Sequence, residues 1–289
     1  MKKILYAFCL LPILASAQDM LVKEKTALNQ SVIEGAYHPI LNEDGTKVLF
    51  TKSNFSGLYL YDIPNHVVTT ITEAPGAGYG ATFNADDKSI WFKEDETVKG
   101  RRYKSLMRYK IDTFAKVRMS EPLRKLSDLQ RVQRSFAPQV KQAHVNAYTR
   151  DLKLFIDRDG VAQEINPIDG ATGYIWVSLS PDQQKILLTA TSRGTFVIDL
   201  EGNVLADLGM MNAPKWYGDK HVLGMKDEDD GHRLISSQVW AYNLETQTQQ
   251  QLSADNEVAV YPSGNIQAQK VVYATEDGDL YLLDVELKK

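Results

Sequence analysis

The chain has 289 residues, 43% hydrophobic and 24% charged, with a formal net charge of −4. This mildly acidic balance gives no reason to expect nucleic acid or an anionic membrane surface as a partner. The single cysteine, Cys9, lies near the start, so a chain lacking its leader can form no disulfide, thiolate metal site or cysteine nucleophile.

That leader reads Met1-Lys2-Lys3, an apolar run over 4–14, then Ala15-Ser16-Ala17. A basic start, a short apolar stretch and a small-residue cleavage site describe an export signal at 1–17. The apolar run is too short to cross about 30 Å of hydrocarbon. Tyr6-Ala7-Phe8 is not the small-residue lead-in that lipid attachment at Cys9 needs. Cleavage before Gln18 is expected, with a periplasmic or secreted product spanning 18–289 as one domain. Loss of Lys2 and Lys3 takes the formal charge from −4 to −6.

Beyond the leader, 20–28 reads Met-Leu-Val-Lys-Glu-Lys-Thr-Ala-Leu, resembling the short polar runs over 67–71 and 248–252 that precede the next unit. Next comes a unit that recurs. His38-Pro39-Ile40-Leu41 approaches an acidic turn, Asn42-Glu43-Asp44-Gly45; Val48-Leu49-Phe50 follows, then Leu58-Tyr59-Leu60-Tyr61-Asp62 and a polar run over 67–71. The pattern returns around Asp86-Asp87 with Ile90-Trp91-Phe92. It returns again at Ser180-Pro181-Asp182 with Ile186-Leu187-Leu188 and Thr195-Phe196-Val197-Ile198-Asp199.

Acidic turns at Asp44, Asp86, Asp182 and Asp219 are 42, 96 and 37 residues apart. The long gap holds a degenerate copy, in which Ala137-Pro138 echoes His38-Pro39. Four short alternating runs per unit, with a period near forty residues, predict an all-β fold, a six-bladed β-propeller of four-stranded antiparallel blades. The blades are expected near 37–72, 79–127, 130–165, 173–208, 213–253 and 256–285. The last has only three runs, and 20–28 is expected to supply its fourth strand, closing the ring and covering an edge.

The Ser-Pro-Asp and Asn-Glu-Asp-Gly turns with a following Lys, the apolar triplet and the Leu-Tyr-Leu-Tyr-Asp run resemble TolB-like propeller repeats. The resemblance covers most of 18–289, strongly in the first, second and fourth units. It implies an exported six-bladed propeller that binds a protein partner at the mouth of its central channel; the motif residues themselves build blades and imply no catalytic role.

In such blades the second-to-third and fourth-to-first connections emerge on one face. Two of those connections are long: the loop over 94–104, with Arg101 and Arg102, and the loop over 226–237, with Asp227, Asp229, Asp230 and His232. They belong to blades 2 and 5, opposite one another in a ring of six. The same face receives Tyr37, His38, Tyr79, Trp176, Trp216 and Tyr261 at the starts of first strands, aromatics suited to a pocket. All twelve residues are expected binding residues.

The five histidines are scattered, with no His-x-His or His-Glu-x-x-His pairing, and no nucleophile elbow or phosphate loop occurs. No catalytic residues and no obligatory cofactor are expected; the oxygen-rich Asp227-Glu228-Asp229-Asp230 run is the one place suited to calcium, though it lacks EF-hand spacing. The expectation is an exported non-catalytic propeller binding an envelope or periplasmic protein or peptide by its loop-rich face. The alternative is a glycan-binding or glycan-processing propeller using the aromatic mouth.

Overall fold

The structure, a computed structural model, describes residues 19–28, 33, 35–84, 88–124 and 145–288. The leader, the turn at Asp86 and the Ala137-Pro138 start of the degenerate copy lie outside the described residues.

Strand β1 (Met20–Ala27) precedes the first blade, formed by β2 (Tyr37–Leu41), β3 (Lys47–Lys52), β4 (Ser56–Asp62) and β5 (Val67–Thr72). The second contains β6 (Thr82–Phe83), β7 (Ser89–Val98), β8 (Arg101–Lys110) and β9 (Ala115–Arg118). The third shows β10 (Val145–Arg150), β11 (Lys153–Arg158) and β12 (Val161–Ile165). The fourth is β13 (Tyr174–Leu179), β14 (Lys185–Ala190), β15 (Gly194–Asp199) and β16 (Val204–Gly209). The fifth is β17 (Asn212–Tyr217), β18 (His221–Asp229), β19 (Leu234–Asn243) and β20 (Thr248–Gln251), and the sixth is β21 (Ala259–Asn265), β22 (Lys270–Thr275) and β23 (Leu280–Leu287). Each sheet is antiparallel with strands in sequence order, except that β1 pairs on the far side of β23. The fold is an all-β, six-bladed propeller. In the third blade β12 is exposed like the other outermost strands.

The apolar triplets explain why sheets become blades. Successive residues of a strand face opposite sides, yet Val48, Leu49 and Phe50 are all buried. Val48 and Phe50 pack with Val260, Val272 and Leu282 of the sixth blade. Leu49, Leu58 and Leu60 pack with Ile90, Phe92 and Met107 of the second. Each blade is thus a layer between two others, and each such side chain removed from water stabilises the ring by about 1.5–3 kcal/mol.

The acidic turns hold backbone. Asp44 Oδ1 accepts the Thr46 N–H at 2.9 Å and the Asn42 amide at 2.7 Å; Asp182 accepts from Gln184 N–H at 3.0 Å and pairs with Lys185 at 2.8 Å. The motif's lysine and closing aspartate meet across the ladder, Lys47 with Asp62 at 2.9 Å.

The N-terminal strand closes the ring as its pattern predicts. Its register runs from Met20↔Leu287 to Ala27↔Tyr281, with one irregularity between Val22 and Glu24. Met20 is 1% exposed, in a core shared by the fifth and sixth blades. Just before it, Asp19 reaches His221 at 2.6 Å and Asn243 at 2.5 Å on the fifth blade.

Candidate binding site at the channel mouth

The innermost strands carry a repeated irregularity at one level. Register slips between Tyr37 and Ile40, Ile175 and Ser178, Asn212 and Lys215, and Val260 and Ser263. In each case two residues oppose one on the neighbouring strand, a β-bulge. Its first residue has positive φ: His38 (51°), Trp176 (50°), Ala213 (46°) and Tyr261 (54°). The matching residue of the second blade is Gly80, at 69°. Left-handed backbone costs a side-chain-bearing residue about 1–2 kcal/mol, so four non-glycine residues hold it at the same height of the channel.

The bulges gather aromatic rings between the first and sixth blades. His38 stacks on Phe55 with ring centroids 4.2 Å apart and lies tilted against Tyr261 at 3.8 Å. Tyr79 meets Phe55 edge-on at 5.3 Å. Tyr79 is 56% exposed and, on the fourth blade, Trp176 is 44% exposed. Burial among these rings, with the positive charge of Lys215, lowers the His38 pKa to about 4. Burial raises the Tyr261 phenol, with smaller contributions from Asp227 and Tyr37. Lys215 keeps contact with solvent, yet protein surrounds it closely enough for desolvation to lower its pKa. Both hold for a side chain in a narrow, wet channel.

The structure corrects the two long connections. The residues over 94–104 and 226–237, expected as irregular loops, are largely ladder-paired extensions of β7–β8 and β18–β19. Pairing in the second blade continues through Glu94↔Ser105 to Val98↔Arg101, closed by Lys99-Gly100 with φ of 50° and 74°, the positive pair a two-residue hairpin turn requires. In the fifth it continues to Asp229↔Leu234. Part of the basic cluster is paired with its own acids: Lys104 lies 2.5 Å and Arg102 3.6 Å from Asp95.

The other expected residues divide. Arg101 and His232 are exposed at the hairpin tips. Asp229 accepts the Gly231 N–H and Asp230 those of His232 and Arg233, so these carboxylates shape the turn. Asp227 accepts a hydrogen bond from Asn212 at 2.8 Å. Among the described residues no group of three His, Cys, Asp or Glu is arranged to hold a metal ion. Tyr37 donates to the Glu276 carbonyl at 2.7 Å. Trp216 donates to the Ser178 carbonyl and packs between the fourth and fifth blades, away from the mouth. Phe55, absent from the expected residues, lies in a 3-10 turn over Ser53–Phe55; no periodic signal marks it. Lys93, also missed, is 9% exposed on β7.

A groove of about 410 Å³ opens on the opposite face between the fourth and fifth blades, lined in part by Asp182, Lys185, Leu205, Asp219, Lys220 and Glu245. Its charges are satisfied internally: Lys185 pairs with Asp182, Lys220 pairs with Glu245, and Asp219 accepts the Asp182 N–H.

No protein-family model matches the chain, and no curated protein sequence matches it significantly. Among solved structures, an oligogalacturonate lyase from Vibrio parahaemolyticus superposes with a TM-score of 0.55 at 11% identity, covering 92% of this chain and 98% of that one. A chain of a mitotic checkpoint complex superposes with a TM-score of 0.56 at 10% identity, over 92% and 96%. A TolB from Acinetobacter baumannii aligns over 89% of this chain and 56% of its own at 15% identity, with a TM-score of 0.35. At these identities the likeness to the first two is one of fold alone.

Proposed function

We propose that this chain is an exported, non-catalytic propeller that binds a protein or peptide at its channel mouth. The observation that carries this reading is the aromatic group on the strained bulges: His38 between Phe55 and Tyr261, with Tyr79 and Trp176 largely exposed. Large exposed rings converging on a concavity are the usual anchors of recognition. His38 faces rings and a lysine, and among the described residues no carboxylate is seen to orient it as a general base would require. The two projecting hairpins add walls on opposite sides. Export rests on the leader at 1–17, and the checkpoint-complex chain supports the reading only as a propeller of this shape found in a protein assembly.

The test is affinity capture from an envelope extract with the mature chain, with a Tyr79→Ala/Trp176→Ala variant, and with Lys220→Ala on the opposite face. Partners lost with the first variant and kept with the second support the reading. An unchanged partner set in both would refute it.

Glycan recognition is a second reading, favoured by the flat exposed faces of Tyr79 and Trp176 and by the fold shared with an oligogalacturonate lyase. A ligand that binds only the folded chain raises its melting temperature. Oligosaccharides that give no shift at millimolar concentration would count against it.

A further inference from the structure

We propose that the aromatic row at the mouth seats a short, extended apolar segment of the partner, with an acidic residue toward Lys93 of the second blade and a basic residue toward Asp227 of the fifth. This rests on the peptide-binding reading above and names the segment it would take.

The row is continuous across three neighbouring blades. Tyr79 of the second blade meets Phe55 at 5.3 Å, Phe55 meets His38 at 4.2 Å, and His38 meets Tyr261 of the sixth blade at 3.8 Å, centroid to centroid. Tyr79 is exposed and the other three are half-buried, so each ring keeps some surface for a ligand. Extended chain rises about 3.3 Å per residue, and about four residues would cover the row. Apolar side chains laid along it would remove ring surface from water.

The two ends of the row differ in charge. At the Tyr79 end, a Cβ on the adjacent Gly80 would stand 3.2 Å from the Lys93 Nζ, which sets the ammonium group against the backbone there. Lys93 is 9% exposed. The carboxylates that follow it on β7 are engaged elsewhere, Glu94 with Thr72 and Lys116 and Asp95 with Lys104. A nearly buried ammonium group with no carboxylate bonded to it among the described residues is costly, and a ligand carboxylate would offset that cost.

At the Tyr261 end, Asp227 stands across its ladder from Ser237, whose hydroxyl donates to the Ala259 carbonyl at 2.6 Å, two residues before Tyr261. Its charge is felt at the Tyr261 phenol. Glu228, Asp229 and Asp230 continue the acidic run, while the preceding Lys226 lies over the Trp240 ring at 4.1 Å. Lys215 acts on His38 at the middle of the row, where an ammonium group suits a main-chain carbonyl of the segment and repels a basic side chain. The surface is therefore complementary to a segment that is apolar in the middle and oppositely charged at its ends.

The experiment titrates the mature chain with synthetic peptides whose core is four residues drawn from Leu, Val, Phe and Pro. Four classes differ in their flanks: Asp before the core and Lys after it, the reverse order, Asp at both ends, and Lys at both ends. At least one mixed class should bind about tenfold tighter than the Lys-flanked class and about threefold tighter than the Asp-flanked class. Lys93→Met should abolish the first advantage, and Asp227→Lys should make the Asp-flanked class the tightest. Thermal melts confirm that each variant is folded, and Asp227→Lys, at a partly exposed position, carries the test should Lys93→Met fail to fold. Equal affinity for all four classes, or a preference that the folded variants leave unmoved, would overturn the charge assignment and leave the peptide-binding reading standing. Binding of no class would overturn this inference, and the affinity capture above then decides the peptide-binding reading by itself.

Discussion

The rings of His38 and Tyr261 lie 3.8 Å apart, centroid to centroid, across the junction between the first blade and the last. Both residues hold left-handed backbone, and their contact couples the closure of the ring to the shape of its mouth.

The first prediction concerns the ionisation of His38. Its pKa falls from an ordinary 6.5 to about 4, through burial and then the charge of Lys215. The folded state therefore holds the neutral ring, and the unfolded chain binds the extra proton between those values. Stability from this group is complete above about pH 6.5, declines as pH falls toward 4, and changes no further below that. NMR titration of the His38 ring should give a midpoint near 4; Lys215→Met should raise it, and His38→Gln should flatten this part of the stability profile.

A second concerns the latch at the N-terminus. Burial alone would raise the Asp19 pKa, but hydrogen bonds from His221 and Asn243 and the His221 charge outweigh it and the net shift is downward. Its contribution is present above the ordinary carboxylate value and is lost as pH falls through the lower folded value. Asp19→Ala leaves buried donors of His221 and Asn243 without an acceptor and should cost about 1–3 kcal/mol at neutral pH. Denaturant unfolding from pH 7 to 3 should show the wild-type and variant curves converging in acid.

A third concerns the closing strand. Met20 is 1% exposed between the fifth and sixth blades, and Met20→Ala should destabilise the chain by about 2–5 kcal/mol through lost burial and a cavity. Removing residues up to Ala27 also bares the edge of β23 and should produce self-association, measured by size-exclusion chromatography.

A fourth concerns the bulge. Gly80→Ala places a Cβ on backbone at φ 69° beside the Lys93 Nζ. It should cost about 1–2 kcal/mol of stability from the left-handed conformation, read as a lower denaturation midpoint with an unchanged slope.

Much of the scaffold was legible because blade packing writes itself into local pattern. Val48-Leu49-Phe50 is continuously apolar because both faces of the strand are covered, and β1 could be assigned because it resembles the polar runs that close other blades and precedes the first blade as they precede the next. The hairpins were read as loops because Glu94-Asp95-Glu96 has no apolar alternation; its ladder is held by cross-strand charge pairs such as Asp95 with Lys104. Trp216 was expected at the mouth as one of the aromatics at the start of a first strand, but its ring packs against the core between the fourth and fifth blades.

The most direct test of a functional channel mouth is site-specific photocrosslinking in an envelope extract. A photoreactive aromatic residue would replace Tyr79 on the mouth in one sample and Lys220 on the opposite face in another. The account predicts a discrete protein or peptide adduct from position 79 and none from position 220. Adducts from position 220 alone would contradict it and move the site to the groove between the fourth and fifth blades.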